Sequence, residues 1–226
     1  MYCMKIKQPM IQETQLTQAT TFPPNLSDIL LEKLWFEDTT YEQHDQINRL
    51  IIDKNIWNKV YFSNQVCDAI EISDTVFDGC DFSNTEWINS SFHRVVFKNC
   101  RLTGVNFADS YINHCQFIDC SMHYASFNFA KIRYTSLTQC DLISSEFSDM
   151  DWKHLELSHC FLNKTTWVNT SLTTLNLSSC QFEQLYFSPD KIRGLIINLD
   201  QIINIGLALG LVLDEPLDTV DNKKTT

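Results

Sequence analysis

The sequence predicts an all-β solenoid, a chain wound into stacked square coils of twenty residues, and three observations carry that prediction. Every fifth position from 52 to 187 is apolar, 28 in succession without a break, beginning Ile52, Trp57, Phe62 and Cys67 and ending Leu172, Leu177, Phe182 and Phe187. In a chain that is 44% apolar, chance would give such a run with a probability of about 10⁻¹⁰, so the period is an internal repeat. The second observation lies two places before each large residue: from 80 to 180, 18 of 21 such positions hold Cys, Ser, Thr, Ala or Val. The third is the spacing of Cys80, Cys100, Cys120, Cys140, Cys160 and Cys180, which are twenty apart.

A period of five matches neither a helical stripe of 3.6 nor the alternation of a strand. One large and one small inward residue per pentad suit a chain that turns a corner every five residues around a narrow interior, with each coil hydrogen-bonded to those above and below. Four pentads close one turn, so the six cysteines should stack in a ladder, with rungs about 4.8 Å apart. The remaining three positions of each pentad face water.

Composition sets the outer bounds. The chain has 226 residues, 20% of them charged, a formal net charge of −11 and a pI near 4.8. That field repels nucleic acid and anionic membrane, and it favours a basic protein surface as partner. The opening "MYCMKIKQPM" has no long apolar core behind it, and "LALGLVL" near the C-terminus is too short to span a bilayer. A cytoplasmic protein is expected, with no membrane and no direct nucleic-acid contact.

The elements follow in order. Residues 1–51 read as a lead-in and cap, with a short helix around "SDILLEKLWF" begun by Ser27 or Asp28, and with Trp35 and Phe36 covering the first coil. Residues 52–189 are the repeat. Residues 190–213 hold a short helix in "NLDQIINIGLALGLVL", with Asn198 as N-cap, Gln201 at the capping-box position and Gly210 as the stop. Residues 214–226 form a polar tail expected to be flexible.

Pentads such as "CDFSN", "CRLTG", "VNFAD" and "CDLIS" resemble those of the pentapeptide-repeat proteins: a small residue, a polar one, Leu or Phe, and two more polar ones. Within that family the chain looks most like the Qnr-type and MfpA-type members. The resemblance implies a right-handed quadrilateral parallel β-helix, a C-terminal helix for homodimerisation, and binding to type II topoisomerases, DNA gyrase or topoisomerase IV, as an acidic DNA mimic, with quinolone resistance as a consequence. The unbroken phase leaves no room for the loops that interrupt the repeat in several Qnr lineages. In that respect the chain is closer to the MfpA type, which inhibits gyrase.

Dimerisation candidates are Ile202, Ile205, Leu209 and Leu211, since the helix carries more apolar surface than one coil end should need; a monomeric end cap is the other reading. The candidate partner surface is Asp141, Glu146, Asp149 and Asp151 with Tyr124, Phe129 and Tyr134. A second acidic group comprises Asp68, Glu71, Asp74, Asp78, Asp81 and Glu86, while Arg94, Lys98, Arg101, Lys131 and Arg133 lie between the two. Ordinary solvated surface is the competing interpretation, and a non-catalytic scaffold for another protein is the competing function.

No enzyme and no cofactor are expected. Seven of the nine cysteines fall at the small inward position and Cys67 at the large one, which makes them core thiols; only Cys3 lies outside the pattern. A metal would require buried thiolates with no histidine among them. His93, His114, His123, His154 and His159 fall at outward positions, and His44 precedes the repeat. A polysaccharide-cleaving β-helix would need long loops to build a cleft, and the repeat contains no insertion that could supply them.

Overall fold

The structure, a computed structural model, describes residues 5–43, 45–212 and 214; Cys3, His44 and nearly all of the tail therefore lie outside the described residues. It is a parallel β-solenoid. Strand pairs repeat at an offset of twenty: Phe77 pairs with Phe97, Phe97 with Phe117, Phe117 with Leu137, and Leu137 with Leu157, all in parallel register. Each pentad forms one side of a square coil. Side one stacks residues 51–53, 71–73, 91–93, 111–113, 131–133 and 151–153, and side two stacks 56–58, 76–78, 96–98, 116–118, 136–138 and 156–158. Sides three and four are held by bridges through Tyr61, Asp81, Arg101, Ser121, Asp141 and Phe161, and through Glu86, Asn106, Ser126, Glu146 and Thr166.

Both inward positions behave as the period requires. From 80 to 180 every companion residue is buried, and of the 28 large residues only Trp152 and Phe187 retain appreciable exposure. The preference for Cys, Ser and Thr at the small position has a chemical cause. The Cys140 thiol donates to the Phe117 carbonyl at 3.4 Å, and the Ser110 and Ser145 hydroxyls donate to Trp87 and Met122 carbonyls, each at 2.7 Å. A small side chain here fills the layer and also satisfies a backbone acceptor of the preceding coil. The large residues stack at the coil rise. Phe97 and Phe117 lie 4.9 Å apart at 3°, and Phe127 and Phe147 lie 5.1 Å apart at 4°. Such pairs add about 0.5–1.5 kcal/mol each beyond area burial.

The corners come from a backbone device. Every fifth residue from 54 to 174 has positive φ, between 47° and 69°, and among them only Gly79 and Gly104 are glycine. A left-handed residue reverses the pleat for one step, so the large residue two places before it and the small one directly after it can both point inward. For a residue with a Cβ that conformation costs roughly 1–2 kcal/mol. Asn and Asp reduce the cost through local hydrogen bonding, and the continuous ladder on both sides offsets the rest.

The coils begin before residue 52. Leu31 pairs with Ile52, Phe36 with Trp57 and Thr40 with Tyr61 at an offset of 21, whereas Ile47 pairs with Cys67 at 20. One extra residue between Tyr41 and Ile47 shifts the phase. The helix expected around "SDILLEKLWF" is instead two strands, Leu30–Glu32 and Leu34–Glu37. Leu30, Leu31, Leu34 and Trp35 imitate a helical stripe only because that coil runs one place out of step with the others. Trp35 stays partly exposed, while Phe36 is buried and stacks on Phe22 at 4.3 Å. Strand Thr17–Ala19 then pairs with residues 34–36 and closes that edge.

At the other end, helix α1 (Leu199–Ala208) closes the stack. Asn198 and Gln201 form the reciprocal capping box, and Gly210, at φ 82°, sits in a Schellman turn: its N–H donates to the Leu207 carbonyl and the Leu211 N–H to the Gly206 carbonyl. The Gln201 amide donates to the Leu177 and Cys180 carbonyls at 2.9 and 2.8 Å, and Asn204 donates to the Phe182 carbonyl at 2.9 Å. The helix thus supplies donors that a further coil would otherwise have supplied. Among the described residues no helix is long and apolar enough to cross a membrane.

Candidate interaction surface

In a square coil, residues five apart stand on neighbouring sides, and only residues twenty apart share one. This separates groups that look contiguous in sequence. Asp141 lies on side three, Glu146 on side four and Asp151 on side one, with Asp149 at the corner between sides four and one. Tyr124, Phe129 and Tyr134 occupy three successive corners, with φ 58°, 60° and 48°. The expected patch therefore wraps around the rod.

The acids also differ in what they contact. Asp151 pairs with Arg133 at 2.5 Å, and Asp141 lies 2.6 Å from the His123 ring. On sides two and three, Asp78 lies 3.8 Å from Lys98 and Asp81 lies 3.7 Å from Arg101. Asp74 is held by Arg94 inside a corner.

Side four is different. Its outward positions from 66 to 188 and its corner with side one carry Asp68, Glu86, Asp109, Glu146 and Asp149, with no Lys, Arg or His; Lys164 stands at its other corner, with side three. The bridges Val66 to Glu86, Glu86 to Asn106, Asn106 to Ser126, Ser126 to Glu146, Glu146 to Thr166 and Thr166 to Tyr186 set Glu86 and Glu146 in one column, with Asp68, Asp109 and Asp149 two or three places further along the same coils. The carboxylates of Asp68, Glu146 and Asp149 accept from the amides of Asn89, Asn128 and Asn169 at 3.2, 2.6 and 3.0 Å. These donors are neutral, so the side chains are oriented and the charge is retained. Val66, Phe129, Val168 and Tyr186 give the same side exposed apolar contacts. Sequence reasoning included Glu146, Asp149 and Phe129 but missed the side that unites them; sorting the charges by position modulo twenty would have found it.

The second candidate surface is α1. Ile202, Leu209 and Leu211 are exposed, together with Leu199 at 80% and Val212 at 92%. Ile205 is 7% exposed against the last coil, so it belongs to the cap and drops out as a dimer contact, because a side chain two turns along faces inward where its neighbours do not.

The remaining groups are structural. The described cysteines are free thiols. Burial pushes Cys67 and Cys115 up to about 12, and the hydrogen bond with Cys120, reinforced by burial, does the same for Cys140. Among the described residues no group of three His, Cys, Asp or Glu side chains could hold a metal ion. One outward histidine is not at the surface: His114 is 9% exposed, because the N-terminal segment crosses it.

The chain was also compared with known proteins. No curated protein matches it in sequence. Full-length QnrB1, described as a plasmid-mediated fluoroquinolone resistance protein, aligns over 86% of this chain and 99% of its own at 17% identity, with a TM-score of 0.42. HetL from the cyanobacterium Nostoc, a pentapeptide repeat protein involved in heterocyst differentiation regulation, aligns over 77% of this chain and 87% of its own at 10% identity and a TM-score of 0.39. Residues 90–167 match the family model described as pentapeptide repeat region, and the same inward pair and left-handed corner continue on both sides of that segment.

Proposed function

We propose that this chain is a non-catalytic, acidic DNA mimic that binds a type II topoisomerase, DNA gyrase or topoisomerase IV, through side four and modulates it, with altered quinolone sensitivity as the outcome in a cell. The observation that carries the reading is the acidic side: five carboxylates along side four and its corner with side one, with no basic residue among those positions, spread over coils about 4.8 Å apart. A protein surface that holds duplex DNA is basic, and a straight rod presenting fixed anions on one side competes for it through the same field. The three asparagine donors fix those carboxylates beforehand, which lowers the ordering cost of binding. Two copies joined through the exposed apolar side of α1 would double the length of the rod.

Supercoiling by purified gyrase, with and without a quinolone, tests the proposal. The parent should inhibit supercoiling or relieve drug-induced cleavage, and the effect should weaken as salt rises. Glu86→Lys, Glu146→Lys and Asp149→Lys together should abolish it. Asp141→Lys, Asp151→Lys and Glu156→Lys together change the net charge equally on other sides and should leave most of it. An unchanged assay at large molar excess of the parent, with both gyrase and topoisomerase IV, would leave a scaffold for another basic partner as the function.

A further inference from the structure

The N-terminal segment runs across the coils instead of along them, and it is fastened at two points of different chemistry. The Met10 N–H donates to Asp74 Oδ1 at 2.8 Å, and the Lys7 N–H donates to His114 Nδ1 at 3.2 Å. Asp74 and His114 are corner residues two coils apart, in the column that contains Lys54, Asp74, Arg94, His114, Tyr134 and His154. Lys5 and Ile6, beyond the second fastening, and Gln8, between the two, face Gln116, Ser136, Thr138 and Glu156 of side two. Ser136, an outward position by the period, is only 7% exposed there. The segment is a strap over side two.

We infer that the strap is a pH-sensitive device in which protonation of His114 releases residues 5–8 from side two while Met10 stays bound to Asp74. A backbone N–H can only donate, so the Lys7 bond requires an unprotonated Nδ1 and hence the neutral imidazole. Adding the second ring proton removes the acceptor. It also places a cation beside cations: Lys7 approaches from the strap and Arg94 from the preceding coil, where the His93 ring lies 6.1 Å away. Asp74, the carboxylate nearest this cluster, is engaged by Arg94. On the other side the ring stacks on Tyr134 at 4.8 Å, which in turn stacks on His154 at 4.5 Å. Burial, then the charges of Lys7, His93 and Arg94, hold His114 below the ordinary histidine value.

The sign follows from that direction. The unfolded chain binds this proton more readily than the folded one, so the contribution of the His114 contact is fully present above about pH 6.5 and is lost as the pH falls from there through the folded value. The Met10 fastening has a different threshold. Asp74 is held below the usual carboxylate range, so this contact persists until the pH falls well under about 4. Below the folded His114 value and above the folded Asp74 value the strap is free at its tip and tethered at its base, which uncovers side two and leaves side four untouched.

Amide hydrogen exchange on the full chain, corrected for intrinsic rates and read at about pH 7.5 and about pH 5.0, tests this. Protection of the Lys7 amide should fall about tenfold on acidification, the scale of one lost hydrogen bond, while that of Met10 holds. His114→Gln retains a side-chain acceptor without a titration and should hold Lys7 protection at both pH values; His93→Gln should leave the fall in place. If the His114→Gln variant is unstable, the midpoint of the Lys7 transition in the parent is compared with NMR titrations of the His114 and His93 rings. Coincidence with His114 supports the device. Constant Lys7 protection, a fall that survives His114→Gln, or a midpoint that follows His93 overturns it.

Discussion

The Arg94 guanidinium grips the Asp74 carboxylate with two contacts of 2.6 Å, Nε to Oδ1 and a terminal nitrogen to Oδ2, and the two side chains are 16% and 3% exposed. Both residues sit at left-handed corners one coil apart. Burial alone would raise the Asp74 value, but the Arg94 hydrogen bonds, the Met10 N–H and the Arg94 charge outweigh it and hold it down. Asp74→Ala would leave a nearly buried guanidinium without its partner, which should destabilise the fold by about 3–5 kcal/mol. Denaturant unfolding measures that loss. In the parent, stability from this pair is present above the unfolded aspartate value of about 3.9 and falls away as the pH drops through the lower folded value.

Cys140→Ser should cost less than about 1 kcal/mol, because Ser110 and Ser145 already make the same hydroxyl-to-carbonyl bond in this layer. Cys140→Phe should cost about 3 kcal/mol or more, since the position is fully buried and a ring has nowhere to go. Thermal melts of both variants decide it, and a Phe variant that melts like the parent would contradict the inward assignment.

The period was legible because large apolar residues occupy one position in five with no exception from 52 to 187, and the cysteine spacing set the coil length. The first coils were hidden by a single extra residue between Tyr41 and Ile47, which breaks the phase count but only bends the chain. The corners were hidden for a different reason: the position that takes positive φ holds Lys, Arg, His, Tyr and Phe as well as Asn, Asp and Gly. There the ladder overrides local preference. Side four was within reach, since it needs only the charges sorted by twenty. The burial of His114 was not, because nothing in "KIKQPM" shows that residues 5–10 cross the coils.

Gln201→Ala should destabilise the chain by about 1–3 kcal/mol, by leaving the Leu177 and Cys180 carbonyls at the closed end without their donor. Hydrogen exchange in the last coil should rise before that of the middle coils, since neighbouring coils are the only support each has.

Ile202→Asp with Leu211→Asp should give a folded monomer from a dimeric parent, because both side chains are exposed and neither contributes to the cap. Ile205→Asp should instead unfold the end of the rod. Sedimentation equilibrium with circular dichroism separates the two outcomes, and a parent already monomeric at micromolar concentration would remove the dimer.

The central claim is that side four takes the place of duplex DNA, and the most direct measurement is displacement of a labelled DNA duplex from gyrase by the purified chain at fixed low salt. The parent should displace the duplex, the Glu86→Lys, Glu146→Lys, Asp149→Lys variant should fail, and the charge-matched variant of Asp141, Asp151 and Glu156 should displace it nearly as well as the parent. Equal displacement by the two variants, or none by the parent, would contradict the account.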